Sequence, residues 1–153
     1  MPEIFFRPRH PGQRRVAELW DDSQALVLTG PAGTGKTACA LALALLKSPK
    51  VILARPAVPV DEDLGFIPGD LSEKLQPWIS PFADVLRDLS ADGATLEKWG
   101  RKIEVVSIGL LGGRTVKDAT LVIDECQNAT YRQLKMALTR VGDKGRVVLC
   151  GDY

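Results

Sequence analysis

The stretch Gly30-Pro31-Ala32-Gly33-Thr34-Gly35-Lys36-Thr37 satisfies the pattern G-x-x-x-x-G-K-[ST]. Its chemistry is that of a phosphate cradle. Glycines let the backbone curl so that successive N–H groups point inward at anionic oxygens. A helix that opens at the end of the loop adds unpaired donors and the positive end of its dipole. Lys36 is long enough to meet the β- and γ-phosphates of a nucleotide, and the Thr37 hydroxyl suits Mg²⁺. With Gly near ~7% and Lys and Ser/Thr at about 6% and 12%, the pattern arises by accident in roughly 0.5% of chains this long. A glycine-rich turn with an exposed lysine is the bland alternative.

The second constellation is Leu121-Val122-Ile123-Asp124-Glu125, an apolar run that ends in two carboxylates. In α/β folds ligands bind beyond the carboxyl ends of strands. Asp124 is expected to hold the Mg²⁺ shell, directly or through water, and Glu125 to polarise an attacking water as general base. A kinase takes its nucleophile from a second substrate and needs no base here, so the acid pair favours hydrolysis over transfer.

Both constellations need a sheet to place them. Five short apolar runs read as strands: Ala25–Thr29, Val51–Ala54, Ile103–Ser107, Leu121–Ile123 and Val147–Cys150. None alternates cleanly, as expected for strands buried on both faces of a parallel sheet. Helices are expected between them at Gln13–Trp20, Lys36–Lys47, Leu71–Leu89, Thr95–Trp99 and Tyr131–Val141. Lys36–Lys47 is apolar nearly all round and should be buried, its alanines lying close on the sheet. Leu71–Leu89 reads as one or two helices, interrupted near Pro77 and Pro81. Thr130 and Gln133 form a capping box for Tyr131–Val141, with Gly142 at the stop. Pro56–Asp70 and Gly109–Gly113 read as loops. The alternation of strand and helix gives an α/β fold with right-handed crossovers and a mostly parallel five-stranded sheet.

Composition agrees with one globular domain spanning residues 1–153. Hydrophobic residues make up 45% and charged residues 25% of the chain, the ordinary globular mixture. The longest apolar run, Ala38–Leu46, is half of the ~18 residues a membrane helix needs. Met1-Pro2-Glu3-Ile4 does not read as a signal peptide. Cys39, Cys126 and Cys150 are an odd number without metal-ligand spacing, which fits reduced thiols in a cytoplasmic protein. The single histidine, His10, disfavours a histidine metal site or triad. A formal net charge of +1 gives no global drive toward nucleic acid or membrane. Local basic clusters do occur at Arg7, Arg9, Arg14 and Arg15, beside Phe5 and Phe6, and at Arg132, Lys135, Arg140, Lys144 and Arg146. Basic residues beside aromatics suit single-stranded RNA or DNA, although a charge run is more often a solvated face.

Further segments carry a resemblance. Ala54-Arg55-Pro56-Ala57-Val58, Leu64-Gly65-Phe66-Ile67-Pro68-Gly69-Asp70-Leu71, Gly113-Arg114-Thr115, Asp124-Glu125-Cys126-Gln127-Asn128, Leu138-Thr139-Arg140 and Gly151-Asp152 accompany the glycine loop. Together they resemble the PhoH-like ATPases, relatives of superfamily-1 helicase motors, over nearly the whole chain. The resemblance implies a three-layer α/β/α P-loop NTPase fold, RecA-like, with ATP and Mg²⁺ as ligands and ATP hydrolysis coupled to RNA or DNA handling. It implies that Gln13 reads adenine, although a helix-surface glutamine fits the position as well. Gln127 resembles a γ-phosphate and coupling residue. Arg55 resembles a contact to nucleic-acid backbone, or it forms a strand-end salt bridge. Arg114 and Arg140 could serve a phosphate, a nucleic acid, a neighbouring subunit or only solvent. Asp152 resembles a sensor acid after the strand lying between the strand of the glycine loop and that of Asp124 and Glu125. A homo-oligomer is compatible with such motors, a hexamer among the options. The family pattern continues to a glutamine shortly after the position of Asp152, whereas this chain ends at Tyr153. The domain is therefore expected to be incomplete at that end, with binding surviving better than hydrolysis. Rival readings are a nucleotide-responsive assembly module with little hydrolysis and, more weakly, a small nucleotide or metabolite kinase.

Overall fold

The computed structural model describes residues 2–56 and 71–153, with side chains of residues 71–78 outside the description. In chain order the elements are α1 (Pro11–Leu19), β1 (Ala25–Thr29), α2 (Lys36–Lys47), β2 (Lys50–Arg55), α3 (Leu71–Leu89), α4 (Leu96–Trp99), β3 (Ile103–Ser107), β4 (Ala119–Ile123), α5 (Tyr131–Leu138) and β5 (Arg146–Gly151). Short 3₁₀ turns lie at Gly100–Lys102, Ile108–Leu111 and Cys126–Asn128. The sheet order is β1-β5-β4-β2-β3, and every neighbouring pair is parallel. All five carboxyl ends therefore open at one edge of the molecule, and β5 lies between β1 and β4 as the resemblance implies.

Each central strand buries both faces. On one face Val51, Leu53, Val122, Val148 and Cys150 pack with α2 and with Phe82, Leu86 and Leu89 of α3. On the other Ile52, Ala54, Leu121, Ile123 and Val147 pack with Ala137 of α5 and with Ile108 and Leu111. The period-two alternation of β geometry sends neighbouring residues to opposite layers, so an unbroken apolar run is what such a strand requires. In α2 every residue from Cys39 to Leu45 is buried. Four of these are alanines or cysteine, small enough to let the helix lie against the sheet.

Several sequence expectations need correction. β1 is not buried on both faces: it is an edge strand whose residues alternate between exposed and buried, with Val27 64% exposed. Leu71–Leu89 is one helix, the first of its two readings, and runs through Pro77 and Pro81 without a break. Pro81 removes a backbone donor, but Phe82 and Leu86, both fully buried, hold the following turns against the core. α5 stops at Leu138, capped at Thr139, so Gly142 is not its stop. The N–H of Gly142 instead donates to the Val116 carbonyl, 2.9 Å, and Val116 bridges Val141. The capping box is present as expected: Gln133 N donates to Thr130 Oγ1 at 3.2 Å and Thr130 N to Gln133 Oε1 at 2.9 Å. Trp99 belongs to the core, while residues 57–70 of the Pro56–Asp70 loop, the Leu64–Asp70 motif and the side chains of Pro77 and Trp78 lie outside the described residues.

Beside β3, Glu104 sits between Arg114 (2.7 Å) and Lys50 (2.7 Å). The Arg114 hydrogen bond, helped by Lys50, holds its carboxyl down to about 2 from an ordinary 4.5. A carboxyl depressed in the folded state stabilises above its unfolded pKa and loses that contribution as pH falls through the folded one. Stability should therefore drop between pH 4.5 and about 2, and Glu104→Gln should flatten this acid limb while lowering the urea midpoint at neutral pH. Urea titrations at several pH values check both.

Candidate functional site

The loop between β1 and α2 has left-handed backbone at Gly33 (φ 77°) and Gly35 (φ 78°). At Gly35 a side chain is also excluded by space, because a Cβ would stand 2.8 Å from the amide nitrogen of Gln13. Among the described residues no side chain caps α2, so its first N–H groups remain available to an anion. The loop is braced from behind. Gln13 Nε2 donates to the Thr34 carbonyl at 3.1 Å, and the His10 ring nitrogen meets the same oxygen at 3.2 Å. Gln13 Oε1 accepts from the Arg9 N–H at 2.8 Å. The Thr34 hydroxyl closes the turn onto the Pro31 carbonyl, 2.9 Å.

Lys36, at the start of α2, directs its ammonium back over the loop. It donates to the carbonyls of Gly30 and Pro31, both 2.8 Å, and meets Asp152 Oδ1 at 2.7 Å. Thr37 donates its hydroxyl to Asp124 Oδ1 at 2.6 Å. That bond ties the amino end of α2 to the carboxyl end of β4. Asp124 is buried, and desolvation pushes its carboxyl above the usual range against the pull of the Thr37 hydroxyl and the Arg55 charge. Two oxygens of this kind, close together and one of them on a buried carboxylate, fit a hard divalent cation such as Mg²⁺.

Glu125 follows in left-handed backbone (φ 53°), uncommon for a residue with a side chain. Its Oε2 accepts from Gln127 Nε2 at 2.6 Å. Gln127 Oε1 in turn accepts from the Asp152 N–H at 3.1 Å. Arg55, at the end of β2, reaches Asp124 Oδ2 at 3.5 Å and Glu125 Oε1 at 3.7 Å. A cavity of about 230 Å³ joins these groups, lined by Gly33, Gly35, Lys36, Thr37, Asp124, Glu125 and Asp152 and closed on one side by Val85 of α3. A second cavity of about 420 Å³ lies on the outer side of the loop, between Phe5, Phe6, Arg9, Gln13 and Gly33–Gly35.

The structure thus brings together Gly30, Pro31, Ala32, Gly33, Thr34, Gly35, Lys36 and Thr37 with Asp124, Glu125, Gln127, Asp152 and Arg55, and sets Gln13 on the rim. Arg55 makes the strand-end ion pairs that were its alternative reading. Arg114 and Arg140 are not among the residues lining this cavity. Arg114 is held by Glu104, and the Arg140 Nε is buried without a hydrogen-bond partner among the described residues. The second basic cluster also loses Arg146, which lies over the Trp20 ring at 4.8 Å and donates to the Ser23 carbonyl at 2.8 Å. One position named by the resemblance has a role that the sequence does not assign. Gly151, at the end of β5, has room for no side chain, since a Cβ would stand 2.7 Å from Cys126 Sγ and 3.1 Å from Gln127 Oε1.

The family model described as PhoH-like protein matches residues 5–153. The chain belongs to the PhoH-like family. PhoH-like proteins of Mycobacterium leprae and Bacillus subtilis are each 42% identical to it, over 95% and 92% of this chain and 44% and 46% of theirs. Protein PhoH of Escherichia coli is 38% identical over 94% of this chain and 43% of its own. The chain spans less than half the length of these curated relatives. The family is generally taken to consist of P-loop NTPases, and the parallel sheet and glycine loop are those of such a fold. Among the described residues, no helix of this PhoH-like chain is long and apolar enough to cross a membrane.

The contact at Gly151 is testable. Gly151→Ala should displace Cys126 and Gln127 and cost about 1–3 kcal/mol, the usual penalty for overpacking. Cys126→Ala in the same chain should recover part of the loss. Urea unfolding of the two variants and the double variant measures it.

Proposed function

We propose that this chain binds ATP with Mg²⁺ and hydrolyses it. The observation that carries the reading is the convergence, within one cavity, of the glycine loop, Lys36, the bonded pair Thr37 and Asp124, and Glu125. The loop N–H groups and Lys36 would hold the β- and γ-phosphates, and electrostatic stabilisation by such fixed donors is the main catalytic term in phosphoryl transfer. Thr37 and Asp124 would hold Mg²⁺, which when bound neutralises developing phosphate charge. Glu125 is the only carboxylate of the acid pair not bonded to Thr37, and it would take the proton from the attacking water. Gln127 supports it by fixing one carboxylate oxygen.

The base would lie in the cavity outside the loop, where Gln13 sits. Both ends of the Gln13 amide already hold the backbone of Arg9 and Thr34, so its first work is to brace the loop. One N–H and one lone pair remain to face an adenine edge. Coupling to single-stranded RNA or DNA is supported by the exposed Arg7, Arg9, Arg14 and Arg15 with Phe5, 72% exposed, and by the exposed Arg132, Lys135 and Lys144.

Lys36→Ala should abolish ATP binding in a calorimetric titration, and an unchanged affinity removes the proposal. Glu125→Gln should retain ATP while hydrolysis falls by about 10²-fold or more, within the range of general-base catalysis. Phosphate release at the unaltered rate refutes the assignment of the base.

A further inference from the structure

The Lys36 ammonium has three protons and three acceptors: the carbonyls of Gly30 and Pro31 and the carboxylate of Asp152. All its hydrogen-bonding capacity is met by protein. A phosphate oxygen that bonds Lys36 must therefore take the place of one of the three. The two carbonyls belong to the loop backbone and cannot leave without unwinding the cradle. Asp152 is held by a side chain, 37% exposed, beyond the end of β5, and it can swing toward solvent. It also carries negative charge and lines the same cavity, so it repels any anion brought there.

We infer that Asp152 is a built-in competitor of phosphate: its carboxylate serves as the counter-anion of Lys36 and lowers the affinity of the cradle for polyphosphate. This rests on the reading of the cavity as a phosphate site. It differs from a sensing role for Asp152, which would make the acid favour the bound nucleotide. The backbone N–H of Asp152 has separate work, since it anchors Gln127 and through it Glu125. Neutralising the side chain therefore removes the competitor and leaves the support of Glu125 in place.

The test is a calorimetric titration of the 153-residue chain with Mg-ATP and, separately, with inorganic tripolyphosphate, which probes the cradle without a base. Asp152→Asn and Asp152→Ser each remove the charge with different packing, and both should bind both probes about fivefold to tenfold more tightly, as loss of a half-exposed like charge warrants. Asp152→Glu should bind more weakly than Asp152→Asn. Tighter binding shared by the two neutral variants supports the inference. Binding equal to or weaker than that of the unaltered chain in both, with Lys36→Ala still abolishing the signal, overturns it and spares the phosphate site. If the unaltered chain binds neither probe, the reading of the cavity falls and the inference with it.

Discussion

Among the described residues three carboxylates, Asp124, Glu125 and Asp152, converge beyond the carboxyl ends of β4 and β5, and two cations answer them. Lys36 meets Asp152 at 2.7 Å, and Arg55 stands 3.5 and 3.7 Å from the other two. Asp124, the buried one of the three, would be neutralised or expelled if it stood alone. Burial pushes the Asp124 carboxyl up against the pull of Thr37 and Arg55. The arrangement suits a site whose ligands are a polyanion and a divalent cation, since each brings the charge that one set of protein groups lacks.

Sheet order explains how so few elements bring these groups together. β5 runs between β1 and β4, so the glycine loop after β1, Asp152 after β5 and the acid pair after β4 lie side by side. Parallel pairing puts all of them at the same end. The Thr37–Asp124 bond then locks the amino end of α2 to β4, while the seven consecutive buried residues of the helix fix its depth on the sheet. Gly151 permits the last step: without a Cβ, the turn that carries Cys126 and Gln127 can close onto the end of β5.

The sequence was informative where chemistry is local. The glycine loop, the helix it opens and the capping box of α5 each depend on residues a few positions apart, and each stands where spacing placed it. It was misleading where the decisive partner is distant. β1 reads as a buried strand because Leu26 and Leu28 share it with Val27, but its place at the sheet edge leaves Val27 open. Leu71–Leu89 reads as one helix or two, interrupted at proline, because proline penalties are local, whereas the burial that offsets them comes from other elements.

Taken alone, the order of residues determined the class of fold, the glycine loop and the place of the acid pair at a strand end, because glycine torsions, helix starts and strand ends are written in short windows. Only the tertiary structure decided that Asp152 holds Lys36, that Arg55 spans the acid pair, that Gln13 braces the loop and that Arg114 belongs to Glu104 instead of the crevice. The physical reason is that a charge or an amide chooses its partner by distance in space, and in a sheet whose strands pair out of chain order that distance bears no relation to separation along the chain.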